Sequence, residues 1–313
     1  MAETLGWHKE RVRVKVLKIF VDGFGLGKND LEINPIIAAR TPCFDALLGG
    51  HKLWGNQLIK TSKAVLVPLD PLLGVPGVPQ SATGQTTLWT GVNAAQAAGR
   101  HVNAYPTPLL REVIEDYSIF KTLTEDGYSV TFANAFRPSF FEALAEGQRD
   151  FSASTLVTLA AGLQARNLDD LYAGRAVYQD ITNDILIEPG FDAPPYTPAQ
   201  AGRHLAELVG EHDFTLFEFF QSDVAGHKQD MPRCVGLVER IDEFLGSVLE
   251  NLSLADTLIL LTSDHGNLED LSVSGHTQNP VPGLIIGDYE RVPYLGLRGI
   301  EDVASFILDV VAM

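Results

Sequence analysis

Three short apolar runs that each lead into an aspartate constrain this chain more than any other feature. Ile19-Phe20-Val21 leads to Asp22, Phe217 to Ser222 leads to Asp223, and Leu260-Leu261-Thr262-Ser263 leads to Asp264. Their β-branched and aromatic residues show no polar alternation, which suits strands buried on both faces. Runs of the same kind cover Val14–Val21, Ala64–Leu69, Tyr128–Ala133, Phe214–Phe220, Thr257–Thr262 and Gly283–Ile286. Helix-length stretches lie between them, at Thr86–Ala98, Pro108–Asp126, Pro198–Gly210 and Cys234–Asn251. This alternation predicts an α/β fold with a doubly wound, mostly parallel sheet. Residues 136–203 read differently, being rich in Ala, Leu and Arg and closing on a Pro- and Gly-bearing loop, Pro189 to Pro195. They are expected to form a small, mainly helical cap inserted into a core made of residues 11–135 and 204–313. Val303–Val311 has the pattern of an amphipathic helix closing that core.

Aspartates at strand ends matter because open parallel sheets build their sites at the carboxyl ends of the strands. Histidines fall beside these acids. His227 stands four residues after Asp223, His265 directly follows Asp264, and His276 lies in the loop Ser274-Gly275-His276-Thr277. Each residue alone has an ordinary explanation, a helix cap for an Asp or a solvated loop for a His. Together, three carboxylates and three imidazoles suffice for two divalent cations in mixed nitrogen and oxygen surroundings. That is the layout used for in-line phosphoryl displacement.

A hydroxyl for such chemistry is offered by Pro79-Gln80-Ser81-Ala82-Thr83-Gly84-Gln85-Thr86-Thr87. Ser81 just before a helix could attack a phosphate whose oxygens meet the first-turn amides. The competing reading is that Ser81 or Thr83 caps a helix beginning near Thr86.

The formal charge of -17, from 23 basic and 40 acidic residues, opposes broad binding to nucleic acid or anionic membrane. It leaves room for an anionic substrate where bound cations invert the local potential. The two cysteines, Cys43 and Cys234, support neither a disulfide framework nor a thiolate zinc site. The polar start, Met1 to Val16, and the lack of any apolar run near ~18 residues predict a cytoplasmic protein without a membrane partner. Asp22-Gly23-Phe24-Gly25-Leu26-Gly27-Lys28-Asn29 is not a nucleotide P-loop, because no Gly stands five before Gly27 and Asn29 replaces Ser or Thr. Lys28 at the third glycine position also breaks the dinucleotide fingerprint.

These motifs resemble those of the alkaline phosphatase superfamily, in its cofactor-independent phosphoglycerate mutase and phosphopentomutase branch. The matching pieces are Val21 to Gly25, Ser81 to Gln85, Asp223 to His227, Ser263 to Asn267 and Gly275 to Pro282, in the family's order. The resemblance implies one metal held by Asp22, Asp264, His265 and the Ser81 oxygen, and another by Asp223, His227 and His276. It further implies manganese or zinc, a small phosphate ester as substrate, and a phosphoenzyme formed on Ser81.

Two features depart from that branch. Gln85 stands where the mutases place His after the glycine, which touches the hydrogen bonding around the metals. The mutases also carry a larger inserted domain with several arginines, for which the cap offers Arg137, Arg149, Arg166 and Arg175. The leading expectation is hydrolysis or transfer of a phosphoryl group, with the short cap favouring hydrolysis over a closed mutase site. A phosphodiesterase stays open, as does a metal-stabilised binding protein without turnover, to which Gln85 alone points. Sulfatase chemistry lacks its Cys/Ser-x-Pro-x-Arg pattern around Ser81 and both cysteines.

Overall fold

All six expected apolar runs become strands of one seven-stranded sheet in the computed structural model, which describes residues 13–148 and 150–313. Residues 1–12, which hold most of the polar start and the first two residues of the expected core (11 and 12), and Arg149 lie outside the described residues. The strands are β1 (Lys15–Val21), β2 (Ile59–Lys60), β3 (Ala64–Leu69), β4 (Val130–Phe132), β5 (Phe214–Phe219), β6 (Thr257–Thr262) and β7 (Val281–Ile286). Their order is β2-β3-β7-β6-β1-β5-β4. Pairing is parallel from β6 through β1 and β5 to β4, and antiparallel at β7 and β2, so five of the seven strands share one direction.

Both faces of the sheet are covered, as unalternating apolar strands require. From β1, Leu17, Ile19 and Val21 pack into one core with Phe217, Phe244 and Leu245, under the helices Pro198–Glu211 and Met231–Asn251. Val16 and Phe20 point the other way, into a core with Trp89, Phe120, Phe214 and Ile307. The expected closing helix, Val303–Val311, contributes Val303, Phe306, Ile307 and Val310 to that second core.

Helix boundaries differ from expectation in two places. The helix expected over Thr86–Ala98 starts at Ser81, ends at Thr90 and resumes over Ala94–Ala98. Gly91 supplies the break, at a left-handed φ of 72°, and Asn93 caps the second piece through Gln96 N–H. Likewise Pro108–Asp126 divides into Pro108–Tyr117 and Ile119–Glu125, with the Ser118 hydroxyl capping the second. The two-residue edge strand β2 has no counterpart in the sequence reading, being too short for periodicity to register.

Between β4 and β5 the chain forms the helices Pro138–Ala145, Ala153–Ala160, Leu168–Tyr172 and Asp184–Ile187 before entering Pro198–Glu211. Leu168, Leu171, Ala176, Tyr178 and Leu186 make a small core of their own, while Ala153 and Val157 join the second main core. Among the described residues, no helix is long and apolar enough to cross a membrane.

One buried carboxylate ties the long helix Met231–Asn251 to the helix Pro42–Leu47. Asp242 accepts from Cys43 N–H at 3.0 Å and from Phe44 N–H at 2.8 Å. Asp242→Ala leaves both amides unsatisfied and should lower unfolding free energy by about 1–3 kcal/mol in urea titration. An unchanged midpoint would show that the contact contributes nothing.

Candidate metal centre

The sheet order brings the three aspartates together. β5 and β6 flank β1 in parallel, with Val21 opposite Phe219 and Phe20 opposite Thr262, so the three carboxyl ends lie side by side. Asp22 follows β1 directly, Asp264 stands two residues past β6, and Asp223 sits in the first turn of the helix Gln221–Lys228 after β5. That helix puts His227 one turn beyond Asp223, with Nε2 at 3.3 Å from Oδ2.

All seven residues singled out in the sequence meet here. Asp22, Asp264 and His265 form one group, and Asp223, His227 and His276 another, each offering ligand atoms within 4.8 Å of one another. His265 and His276 stack between the groups, with ring centroids 3.6 Å apart. Ser81 begins the helix Ser81–Thr90, whose amino end no side chain caps, and its Oγ lies 3.1 Å from His265 Nε2. Thr83 is occupied elsewhere, donating to Gln80 O at 3.1 Å and accepting from Val102 N–H at 3.2 Å.

The donor chemistry fits cations. His227 Nδ1 lies 2.9 Å from Ser274 O, and His276 Nδ1 lies 2.8 Å from Pro79 O. A carbonyl only accepts, so each Nδ1 carries a proton and each Nε2 is the atom turned inward. Each Nε2 faces a carboxylate oxygen of Asp223, 3.3 Å away for His227 and 3.5 Å for His276, so nitrogen and oxygen donors surround the space a cation would take. Asp22 Oδ1 is buried without a hydrogen-bond partner, an orphan that a cation would satisfy. Burial first, and then the charge of Asp223, pushes the Asp264 carboxyl up to about 7. Burial and neighbouring Asp264 and Asp223 raise Asp22 well above the usual carboxylate range. His265 cannot compensate, since burial and His276 push its imidazole down to about 3.

Residues 190–310 match the Metalloenzyme superfamily, a span holding Asp223, His227, Asp264, His265 and His276. The 2,3-bisphosphoglycerate-independent phosphoglycerate mutase of Moorella thermoacetica is 31% identical over 123 residues, 36% of this chain and 24% of that protein. Its Pyrococcus abyssi counterpart is 33% identical over 116 residues, 34% of this chain and 27% of that one. The chain thus aligns with about a quarter of the length of these curated relatives. The matched span carries the pattern of the Metalloenzyme superfamily and includes five of the seven clustered residues. The fold of the chain is shared with the PH0037 protein of Pyrococcus horikoshii, at a TM-score of 0.60 and 17% identity, over 96% of this chain and 97% of that one.

Several residues that the sequence reading did not single out hold the clustered side chains in place. Asn267 Nδ2 donates to Asp223 Oδ1 at 2.7 Å and to its carbonyl at 3.1 Å. Ser222 Oγ donates to Asp22 O at 2.6 Å. Gln85, noted as a departure, donates to Asp264 Oδ2 at 3.2 Å. The helix carrying it can approach because Gly84 has no side chain; a Cβ there would lie 2.9 Å from Asp264 Cβ.

Glu269 is the centre of this support. Its buried carboxylate accepts from Gly25 N–H at 3.1 Å, Asn267 N–H at 2.8 Å, Asn279 Nδ2 at 3.0 Å and the Thr277 hydroxyl. It thereby joins the loop after Asp22, the loop after His265 and the loop after His276. Glu269→Gln replaces an acceptor oxygen with a donor among four donors. It should cost about 1–3 kcal/mol in urea unfolding. Stability equal to the parent would mean that these loops do not depend on the carboxylate.

Proposed function

We propose that this chain is a two-metal phosphohydrolase or phosphotransferase that acts on a small phosphate ester through phospho-Ser81. The observation that carries the reading is Ser81 Oγ at 3.1 Å from His265 Nε2, at an uncapped helix start beside two groups of ligand atoms. Asp22, Asp264, His265 and Ser81 would hold one divalent cation and Asp223, His227 and His276 the other, with manganese or zinc both suited to such donors. Bound there, the cations would lower the pKa of the Ser81 hydroxyl and offset charge on the phosphoryl oxygens.

Ser81 Oγ forms the new bond to phosphorus as the bond to the leaving oxygen breaks; the hydroxyl proton goes to solvent and the departing alcohol gains one. Water then attacks phospho-Ser81, releasing inorganic phosphate and restoring the hydroxyl. First-turn amides of the helix Ser81–Thr90 favour the transferred group's negative charge. Gln85 and Asn267 keep Asp264 and Asp223 turned inward. The matched mutases are named for phosphoglycerate, which supports a small anionic ester as substrate. Residues 136–203 act as the cap that sets specificity, and their modest size favours water over return of the phosphoryl group to the same molecule. The charge of -17 supports an enzyme that binds neither nucleic acid nor anionic membrane broadly.

Ser81→Ala should abolish hydrolysis of a phosphomonoester panel in manganese- or zinc-loaded protein, a loss of about a thousandfold or more. Thr83→Val should retain more activity than Ser81→Ala, and the reverse ranking would make Thr83 the nucleophile. Elemental analysis should give two metal ions per parent chain and fewer in Asp264→Ala and His276→Ala. Two ions in both variants would overturn the ligand assignment.

A further inference from the structure

A cavity of about 360 Å³ opens where β4 and β5 meet the inserted segment. Its walls include Phe136, Phe140, Phe151 and Tyr178, with the Phe136 and Phe140 rings stacked at 4.0 Å. Two charged side chains break this aromatic lining, Glu218 and Arg137. Glu218 is fully buried and neither carboxylate oxygen has a hydrogen-bond partner. Its backbone is held by Asn134, whose side chain donates to Glu218 O at 2.8 Å and accepts from Glu218 N–H at 2.9 Å. Arg137 donates to Ile185 O at 2.5 Å and lies over the Tyr178 ring at 5.8 Å, yet its Nε is buried without an acceptor.

A buried charge without a partner costs several kcal/mol. Burial accordingly pushes the Glu218 carboxyl up to about 8, so that a cation beside it would be needed for it to ionise at neutral pH. Glu218 and Arg137 do not pair with each other, since no contact within 4.0 Å joins them among the described residues. The cavity lies toward the strand ends that carry the metal centre: Glu218 stands opposite Phe20 of β1, two residues before Asp22, and Phe220, also in the lining, stands three residues before Asp223.

Resting on the function proposed above, we infer that this cavity receives the alcohol portion of the ester and that this portion is a zwitterionic amino-acid group. The ammonium pairs with Glu218, the carboxylate pairs with Arg137, and the aromatic walls shield both from water. A single negative group would satisfy Arg137 and leave Glu218 facing like charge. A single ammonium would satisfy Glu218 and leave the guanidinium Nε without an acceptor.

O-Phospho-L-serine and 3-phosphoglycerate test this directly, because they differ chiefly by an ammonium in place of a hydroxyl. Titration calorimetry on the metal-loaded full chain should show O-phospho-L-serine binding about tenfold or more tightly than 3-phosphoglycerate. Glu218→Gln should bring that ratio close to one while metal content stays at the parent value. Arg137→Gln should weaken both ligands about tenfold. Equal affinities in the parent, tighter 3-phosphoglycerate, or loss of a metal ion from Glu218→Gln would each overturn the assignment. The parent comparison needs no variant to fold. Preference without turnover of either ester would sink the catalytic reading alone, and turnover without preference would sink the amino-acid pocket alone.

Discussion

Carboxylate repulsion at the end of the central strands is the constraint around which this chain is organised. Asp22, Asp223 and Asp264 are brought together by a sheet order that nothing local can alter, because β1 lies hydrogen-bonded between β5 and β6. Two unit charges about 4 Å apart repel by roughly 4 kcal/mol at an effective dielectric of 20. Among the described residues, imidazoles are the only ion-pair partners within 4.0 Å of these carboxylates. His227 and His276 already spend Nδ1–H on backbone carbonyls, and burial keeps His265 neutral. Protons or divalent cations must therefore supply the missing positive charge, and the Nε2 atoms turned to the same space offer such cations nitrogen donors.

The supporting hydrogen bonds agree with that conclusion in their chemistry. Gln85, Asn267 and Ser222 donate as neutral amides and a hydroxyl. A lysine or arginine in place of Gln85 or Asn267 would also orient its carboxylate, but would cancel the charge that attracts a metal. Gln85 is instructive because it occupies the position at which the sequence departs from the mutases. Its amide fixes Asp264 Oδ2 without adding charge, so the departure keeps the ligand in place rather than removing it.

What the sequence disclosed follows from how each feature is encoded. β5 and β6 are buried on both faces, so each is an unbroken apolar run, and the acids that end them stand out. The seven clustered residues were legible because short spacings such as Asp223 to His227 are set by one helical turn. Glu269 was not, since its partners Gly25, Thr277 and Asn279 lie on three loops whose meeting depends on the sheet order. Gly91 was overlooked for a related reason: a glycine inside a helical pattern is ordinary, and only its left-handed φ of 72° shows the break. Glu218 lay hidden in plain view within the Phe217 to Ser222 run, where its charge interrupts a strand that is otherwise buried.

Under the proposed function, an acidic chain would have to separate two tasks in space. Cations at the metal centre would have to outweigh nearby carboxylates to attract a phosphoryl group, and that attraction says nothing about the rest of the substrate. Discrimination would have to come from groups beyond the metals. Arg137 meets that requirement: it lies just past β4 in the inserted segment, in a chain with 23 basic against 40 acidic residues. Glu218 belongs instead to the sheet, on the same strand that delivers Asp223. A cavity with one such group from each part would read the alcohol portion of the ester. That role would account for a buried carboxylate without a hydrogen-bond partner on a strand face that is otherwise apolar.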